Sequence, residues 1–333
     1  IALDQPKDVA KLVSLELSDA WVNEAREVPK AVIDGLTGRV GRFPAVRDGG
    51  CTTPQIVMDT NPPDSDHWWY RLAEEKTPEG WAFYHQPPGE SEQAENRENL
   101  PEHYYKRARS GKNEEWVKVY IDGDYGFVSD GRPVFPEYRD GLHCREFDME
   151  PGALHIGMDF GLTPAATIGR RMPNGRWIVD REIVTERMGS IPFAEELTRI
   201  LTLHYPNWKI AGNTGDPAGN QGQAGDKEAR TIFEILRAHG VDADPAYTND
   251  FSPRREAVAR LLSTIVDGDP ALLVHPRCTK LRKALAGKYQ FVRVQVSGDE
   301  RYRDKPDKND YSHVAEALQY MLMGTGEGRE IVE

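Results

Sequence analysis

Apolar and polar positions alternate through Leu154-His155-Ile156-Gly157-Met158-Asp159, a glycine follows at 161, and a second alternating run, Ala166-Thr167-Ile168-Gly169, comes next. Period-two patterning predicts a strand, a turn and a partner strand, with Asp159 at the end of the first. A third strand is predicted from Arg176 to Val184, then a helix opened by Ser190 with Pro192 in its first turn and glutamates at 195 and 196. Strand 209–212 runs into Gly215-Asp216-Pro217, and a helix over 226–238 follows. A helix over 253–266, a strand over 271–274, a helix over 277–286, a strand over 289–296 and a helix over 310–323 complete this half.

The first half reads as mixed α/β. Its clearest strand, Gln55-Ile56-Val57-Met58-Asp59, ends sharply at Thr60-Asn61-Pro62-Pro63, because proline removes a ladder donor. Residues 86–99 are rich in Pro, Gly, Glu, Gln and Asn and predict an exposed excursion; 104–125 resume order, helix-like at first and strand-like through Trp116-Val117-Lys118-Val119-Tyr120-Ile121. Residues 126–150 are dense in Gly, Pro and Asp and predict a linker, so the chain parses into domains over 1–125 and 151–333. A length of 333 residues is ample for two cores.

Composition removes several classes of function. No apolar stretch approaches the roughly 20 residues of a membrane span, and no signal-peptide pattern is present, so a cytosolic setting is expected. Cys51, Cys144 and Cys278 are odd in number and far apart, which excludes a disulfide framework and a CxxC zinc knuckle. The chain begins at Ile1 without an initiating methionine, which suggests an excised or processed piece. A net charge of -12 argues against nonspecific coating of nucleic acid, yet between Ser252 and Val294 nine basic residues, among them Arg254, Arg255, Lys280, Arg282 and Lys283, face only Glu256, Asp267 and Asp269. This stretch is either a solvated surface or a basic face that carries phosphate contacts.

A carboxylate at a central strand end loses several kcal/mol of hydration unless a cation or hydrogen-bond donors compensate. Asp159 therefore reads either as a turn aspartate capping its hairpin or as a metal ligand. Asp216 stands in a similar place, where a strand gives way to Gly215-Asp216-Pro217-Ala218-Gly219. In the last helix His313 and Glu316 lie three apart and share a face, with Asp310 a turn earlier, as a further ligand or as a helix cap. Hydrolysis of a phosphodiester needs an activated water and a stabilised leaving oxygen, which two divalent ions about 3.5 to 4 Å apart supply when carboxylates bridge them.

Three antiparallel strands followed by alternating helices and strands is the order of a ribonuclease H-like core, a mixed sheet flanked by helices. The strings Gly157-Met158-Asp159-Phe160-Gly161-Leu162-Thr163-Pro164, Gly215-Asp216-Pro217-Ala218-Gly219 and Lys308-Asn309-Asp310-Tyr311-Ser312-His313-Val314-Ala315-Glu316-Ala317-Leu318-Gln319-Tyr320 resemble the nuclease motifs of the large terminase subunit of tailed bacteriophages. That family packages viral DNA and cuts concatemers with a two-metal nuclease, often through an Asp-His-x-x-Asp-Ala pattern in the final helix. Here Ser312 replaces the first acid and Glu316 the last, so the third ligand is His313, Glu316 or Asp310, in that order of preference for the first two.

The first half resembles the same family. Leu15-Glu16-Leu17-Ser18-Asp19-Ala20-Trp21-Val22-Asn23-Glu24 is similar to the Walker B region of its motor, a P-loop-type (ASCE) ATPase, with Asn23 at the usual metal-associated aspartate and Glu24 at the catalytic glutamate. Asp59-Thr60-Asn61-Pro62-Pro63 is similar to the coupling motif, in which Thr60 and Asn61 would sense the γ-phosphate. No GxxxxGK[ST] loop occurs in the chain, so ATP is expected as a cofactor of the full-length protein alone. Arg39 and Arg42 are further candidates for phosphate or DNA contact.

The resemblance implies Mg2+ or Mn2+, two ions, on Asp159, Asp216 and His313, with Glu316 beside them. It also implies double-stranded DNA as substrate, the small terminase subunit and the portal protein as partners, and a place of action in the host cytoplasm at the procapsid portal. Two rival expectations are a ribonuclease H-like resolvase or transposase, and a catalytically silent platform that binds DNA or the portal.

Overall fold

Both faces of the central strand are covered, and alternate side chains along it enter different layers of the second half. The computed structural model describes residues 9–12, 14–112, 114–126, 131–161, 163–220, 230–294 and 301–329. The chain divides into two units, Ile1–Val128 and Ser129–Glu333.

In the first unit β1 (Ala20–Val22) lies parallel to β2 (Ile56–Met58), with Trp21 opposite Val57. Helix α1 (Lys30–Thr37) presents Val32 and Leu36, four apart on one face, to Leu12 and to the half-buried Leu17, Val22, Val40 and Ile56. The strand expected over Trp116–Ile121 is instead helix α2 (Glu114–Tyr120). Helical spacing brings the Trp116 and Tyr120 rings to 4.9 Å, and the Ile121 amide closes on the Val117 carbonyl, whereas an isolated strand would leave its backbone groups without partners.

In the second unit the expected linker is not a tether where it is described. Residues 127–130 lie outside the described residues. Beyond them β3 (Arg132–Pro133) pairs with β10 (Gln290–Phe291), and α3 (Asp140–His143) follows. Val134, Phe135, Tyr138 and His143 are buried. Within this segment Pro133 lies in β3 and Gly141 in α3.

Among the described residues the main sheet has six strands in the order β9-β6-β5-β4-β7-β8, where β4 is Ala153–Asp159, β5 Ala165–Arg171, β6 Trp177–Val184, β7 Lys209–Gly215, β8 Asp244–Pro245 and β9 Leu272–Val274. Strand β5 runs antiparallel to both β4 and β6, while β7 joins β4, and β8 joins β7, in parallel. Three antiparallel strands, then parallel strands joined through helical connections, β7 and β8 beyond the first strand and β9 beyond the third, make a ribonuclease H-like fold.

On β4, Leu154, Ile156 and Met158 point into a core shared with α4 (Ser190–His204) and α5 (Ile232–Ala238). His155, Gly157 and Asp159 therefore face the opposite side, where α8 (Ser312–Met323) packs with α6 (Phe251–Ser263) and α7 (Thr279–Lys283). Every residue of α8 is buried except His313, which is half-exposed, so this helix is the centre of its layer. The helix expected over 226–238 starts at Ile232, with Thr231 and Glu234 forming a capping box; 226–229 lie outside the described residues. The strand expected over 289–296 is two short pieces, Gln290–Phe291 and Arg293–Val294; 295 and 296 also lie outside them.

Candidate metal centre

Register places the two acids side by side. Met158 pairs with Gly215 across the parallel β4 and β7, and the amide of Asp216 donates to the Met158 carbonyl at 3.1 Å, so Asp159 and Asp216 leave adjacent strand ends together. The Phe160 ring locks the two turns. A Cβ on Gly215 would come within 2.5 Å of that ring and one on Gly219 within 2.7 Å, so only glycine admits the aromatic there. Oδ1 of Asp216 accepts the Ala218 amide at 2.9 Å, which fixes the turn around it.

Asp159 is 2% exposed. Burial pushes its carboxyl up to about 6, and the nearby Glu316 charge adds to the rise, against the pull of the His313 hydrogen bond and of Lys308. His313, at the start of α8, places Nδ1 at 2.7 Å from Asp159 Oδ2. With the proton on Nδ1 the ring donates to the carboxylate, and only Nε2 is left to meet a cation or a proton. His313 thus reaches the site through Asp159.

Glu316 occupies a different environment. Its Oε1 accepts the Tyr289 hydroxyl at 3.0 Å, its Oε2 accepts Lys308 Nζ, and Arg254 Nη1 stands 3.4 Å from Oε2. Burial alone would raise this carboxyl, but Lys308 and Arg254 more than offset it and hold the group below the usual carboxylate value. Among the described residues no three His, Cys, Asp or Glu side chains form a group that could hold a metal ion. Asp159 and Asp216, two hard oxygen donors on adjacent strand ends, fit part of a divalent cation's shell. Glu316 does not fit as a third ligand.

The expected phosphate-binding residues separate. Arg254 is 8% exposed and faces Glu316 and the Tyr320 ring, so it has no surface to offer DNA, contrary to expectation. Arg255 is engaged by Glu137 and the Val134 carbonyl, and Arg282 grips Asp140 through Nε and Nη2. Lys280 and Lys288 lie over the Tyr311 ring at 5.7 and 6.0 Å, immediately before α8, and Lys283 is half-buried. Sequence reading missed Lys308 and Tyr289. Lys308 stands inside the motif already singled out and its charge was a usable signal, whereas nothing local marks Tyr289.

In the first unit Glu24 follows β1, and Thr60 and Asn61 follow the neighbouring β2. The Ala25 amide donates to the Asp59 carbonyl at 2.9 Å and the Arg26 amide to Thr60 Oγ1 at 3.2 Å, so the two turns are bonded together. Glu24 adopts a left-handed φ of 52°, and its buried Oε2 has no hydrogen-bond partner among the described residues. Strain and an unsatisfied carboxylate oxygen on one residue are features concentrated at functional sites.

Fold and site together define a ribonuclease H-like protein with paired acids at its strand ends. Among solved structures the chain is similar to the large terminase of a thermophilic bacteriophage, at 15% identity over 94% of this chain and 70% of that one, with a TM-score of 0.43. It is also similar to the P22 large terminase nuclease domain, at 16% identity over 62% and 99%, TM-score 0.44, and to the HK97 bacteriophage large terminase, at 11% over 94% and 71%, TM-score 0.40. No family model and no curated protein matches the chain. No helix among the described residues is long and apolar enough to cross a membrane.

Proposed function

We propose that the second unit is a metal-dependent endonuclease for double-stranded DNA, and that the chain is part of a large terminase subunit. One observation carries the reading: Asp159 and Asp216 leave adjacent parallel strands of a ribonuclease H-like sheet, with His313 of the last helix bonded to Asp159. A divalent cation bound there would activate the attacking water and neutralise charge developing on the phosphate. Asp159 orients His313, whose Nε2 is positioned to take up or deliver a proton. Lys280 and Lys288 contact the phosphate backbone, which carries no base information, so cutting is indifferent to sequence.

The first unit is read as the C-terminal part of an ATPase motor, with Glu24 as its catalytic glutamate and Thr60 and Asn61 as γ-phosphate sensors. ATP hydrolysis belongs to the full-length protein. The partners of that protein are the small terminase subunit and the portal, and it acts in the host cytoplasm during packaging.

A second reading, a silent platform for DNA or the portal, draws on the engagement of Glu316 by Lys308 and Arg254. Nicking of supercoiled plasmid with Mg2+ or Mn2+ separates the two. The nuclease reading expects cutting by the wild type and loss of at least about 100-fold in Asp159→Ala and Asp216→Ala. Equal cutting by all three, or none by the wild type, removes it.

A further inference from the structure

Glu316 sits on the face of α8 where the sequence resemblance implies a metal ligand, yet two cations already neutralise it. Lys308 and Arg254 flank one oxygen and Tyr289 donates to the other. Arg254 is 8% exposed and Glu316 2%, so this pair is fixed in the interior. Freeing Glu316 to bind a metal would strand the Arg254 charge without its counterion, an outcome that costs several kcal/mol in a protein interior. Asp159 and Asp216, by contrast, form no ion pair with arginine or lysine among the described residues, and Asp159 meets only the imidazole of His313.

Charge counting then separates two subsites. Two carboxylates, Asp159 and Asp216, match one divalent ion, and one carboxylate, Glu316, faces two protein cations, of which Lys308 is 61% exposed. Lys308 is held by Glu316, which stands three residues along α8 from the His313 that bonds Asp159, so the ammonium and the paired acids are approached by one face of one helix.

We propose that the centre takes a single divalent cation on Asp159 and Asp216, and that the Lys308 ammonium, tethered by Glu316, supplies the second positive charge to the scissile phosphate. The proposal rests on the nuclease reading above. An ammonium has three donors; one held by Glu316 leaves two for phosphate oxygens. Arg254 sets a buried positive charge 3.4 Å from the same carboxylate, which makes Arg254 a positioning residue and Lys308 a substrate-contacting one.

The test counts ions on the full chain. Mn2+ is titrated against wild type, Glu316→Gln, Lys308→Met and Asp216→Asn, with bound ion read from the loss of the free Mn2+ paramagnetic signal and from calorimetry. The expected wild-type result is one ion per chain, kept in Glu316→Gln and Lys308→Met and weakened at least about tenfold in Asp216→Asn. Two ions on the wild type would overturn the inference and leave the nuclease reading standing; no ion at all would end that reading and the inference with it. The wild-type count needs no variant to fold. Plasmid cutting adds the second arm: Lys308→Met should cut about 100-fold more slowly with its ion count unchanged, the scale of losing one transition-state donor, and cutting at the wild-type rate would overturn the role of Lys308.

Discussion

Gly157 on the central strand lies against Ala317 of the terminal helix, so close that a Cβ at 157 would stand 2.0 Å from the Ala317 carbonyl oxygen and 2.5 Å from the Met321 backbone nitrogen. The strand and helix meet backbone to backbone, two residues along the same strand face from Asp159. Absence of a side chain at 157 sets the height of α8 over the sheet, and that height brings His313 to Asp159.

Gly157→Ala should therefore act at a distance of one strand step. The contacting atoms are backbone and cannot swing aside, so the helix must lift; overpacking of this kind costs about 1 to 3 kcal/mol or more. Urea denaturation should show that loss, and plasmid nicking should fall because the His313–Asp159 bond is broken. A variant with wild-type stability would mean that α8 is not held this closely.

Arg254 and Lys308 share Glu316 but differ in burial, and their removal should differ in the same sense. Arg254→Met leaves a buried carboxylate with one partly exposed cation and should destabilise by about 3 to 5 kcal/mol. Lys308→Met leaves the buried partner in place and, because Lys308 is 61% exposed, should cost about 1 kcal/mol or less. Thermal melts of both proteins check the order; the reverse order would show that Arg254 is not the structural counterion.

The metal-free protein should lose stability between pH 4 and 7 through Asp159. Its folded pKa of about 6 lies above its ordinary value of 3.8, so the native state holds the extra proton, and this contribution is full below about pH 4 and gone once the pH has risen through 6. The span corresponds to about 3 kcal/mol. Asp159→Asn cannot titrate, so the stability difference between wild type and variant in chelator should move in favour of the variant by that amount as pH rises. A difference that does not change with pH would contradict a burial of this carboxyl that outweighs its hydrogen bond from His313.

Two neighbouring cations on α7 should separate in a DNA-binding titration at several salt concentrations. Lys280→Ala should reduce the slope of log affinity against log salt by about one, as loss of a phosphate contact does. Arg282→Ala should leave that slope unchanged and instead cost about 1 kcal/mol of stability, since its fork is committed to Asp140. Equal slopes for both variants and the wild type would remove Lys280 from the DNA surface.

Several features of the molecule were legible along the chain because they are local. Alternation through 154–159 and 166–169 marks the hairpin whatever packs on it, and glycine-rich turns after Asp159 and Asp216 mark the strand ends at which those acids stand. Where local pattern misled, the reason was also physical. Trp116-Val117-Lys118-Val119-Tyr120-Ile121 alternates like a strand, yet among the described residues no strand neighbours it, and it instead pairs its aromatics at helical spacing. The turn-forming residues of 131–150 resemble a tether in composition, and contacts with residues distant in the chain, among them Tyr289, Phe291, Arg255 and Arg282, tie that segment to a core.

Sequence by itself marked the two acids at strand ends, most of the elements around them and the last helix, since each depends on periodicity or on the backbone demands of Gly and Pro. Tertiary structure alone decided what each charge meets. His313 and Glu316 look equivalent on one helical face, but His313 turns to Asp159 while Glu316 is enclosed by Arg254 from α6, Tyr289 and Lys308. Likewise Arg254 reads as a phosphate contact in a basic stretch and becomes a buried counterion once α6 packs against α8. A charge is defined energetically by its surroundings, and those surroundings come from residues distant in the chain.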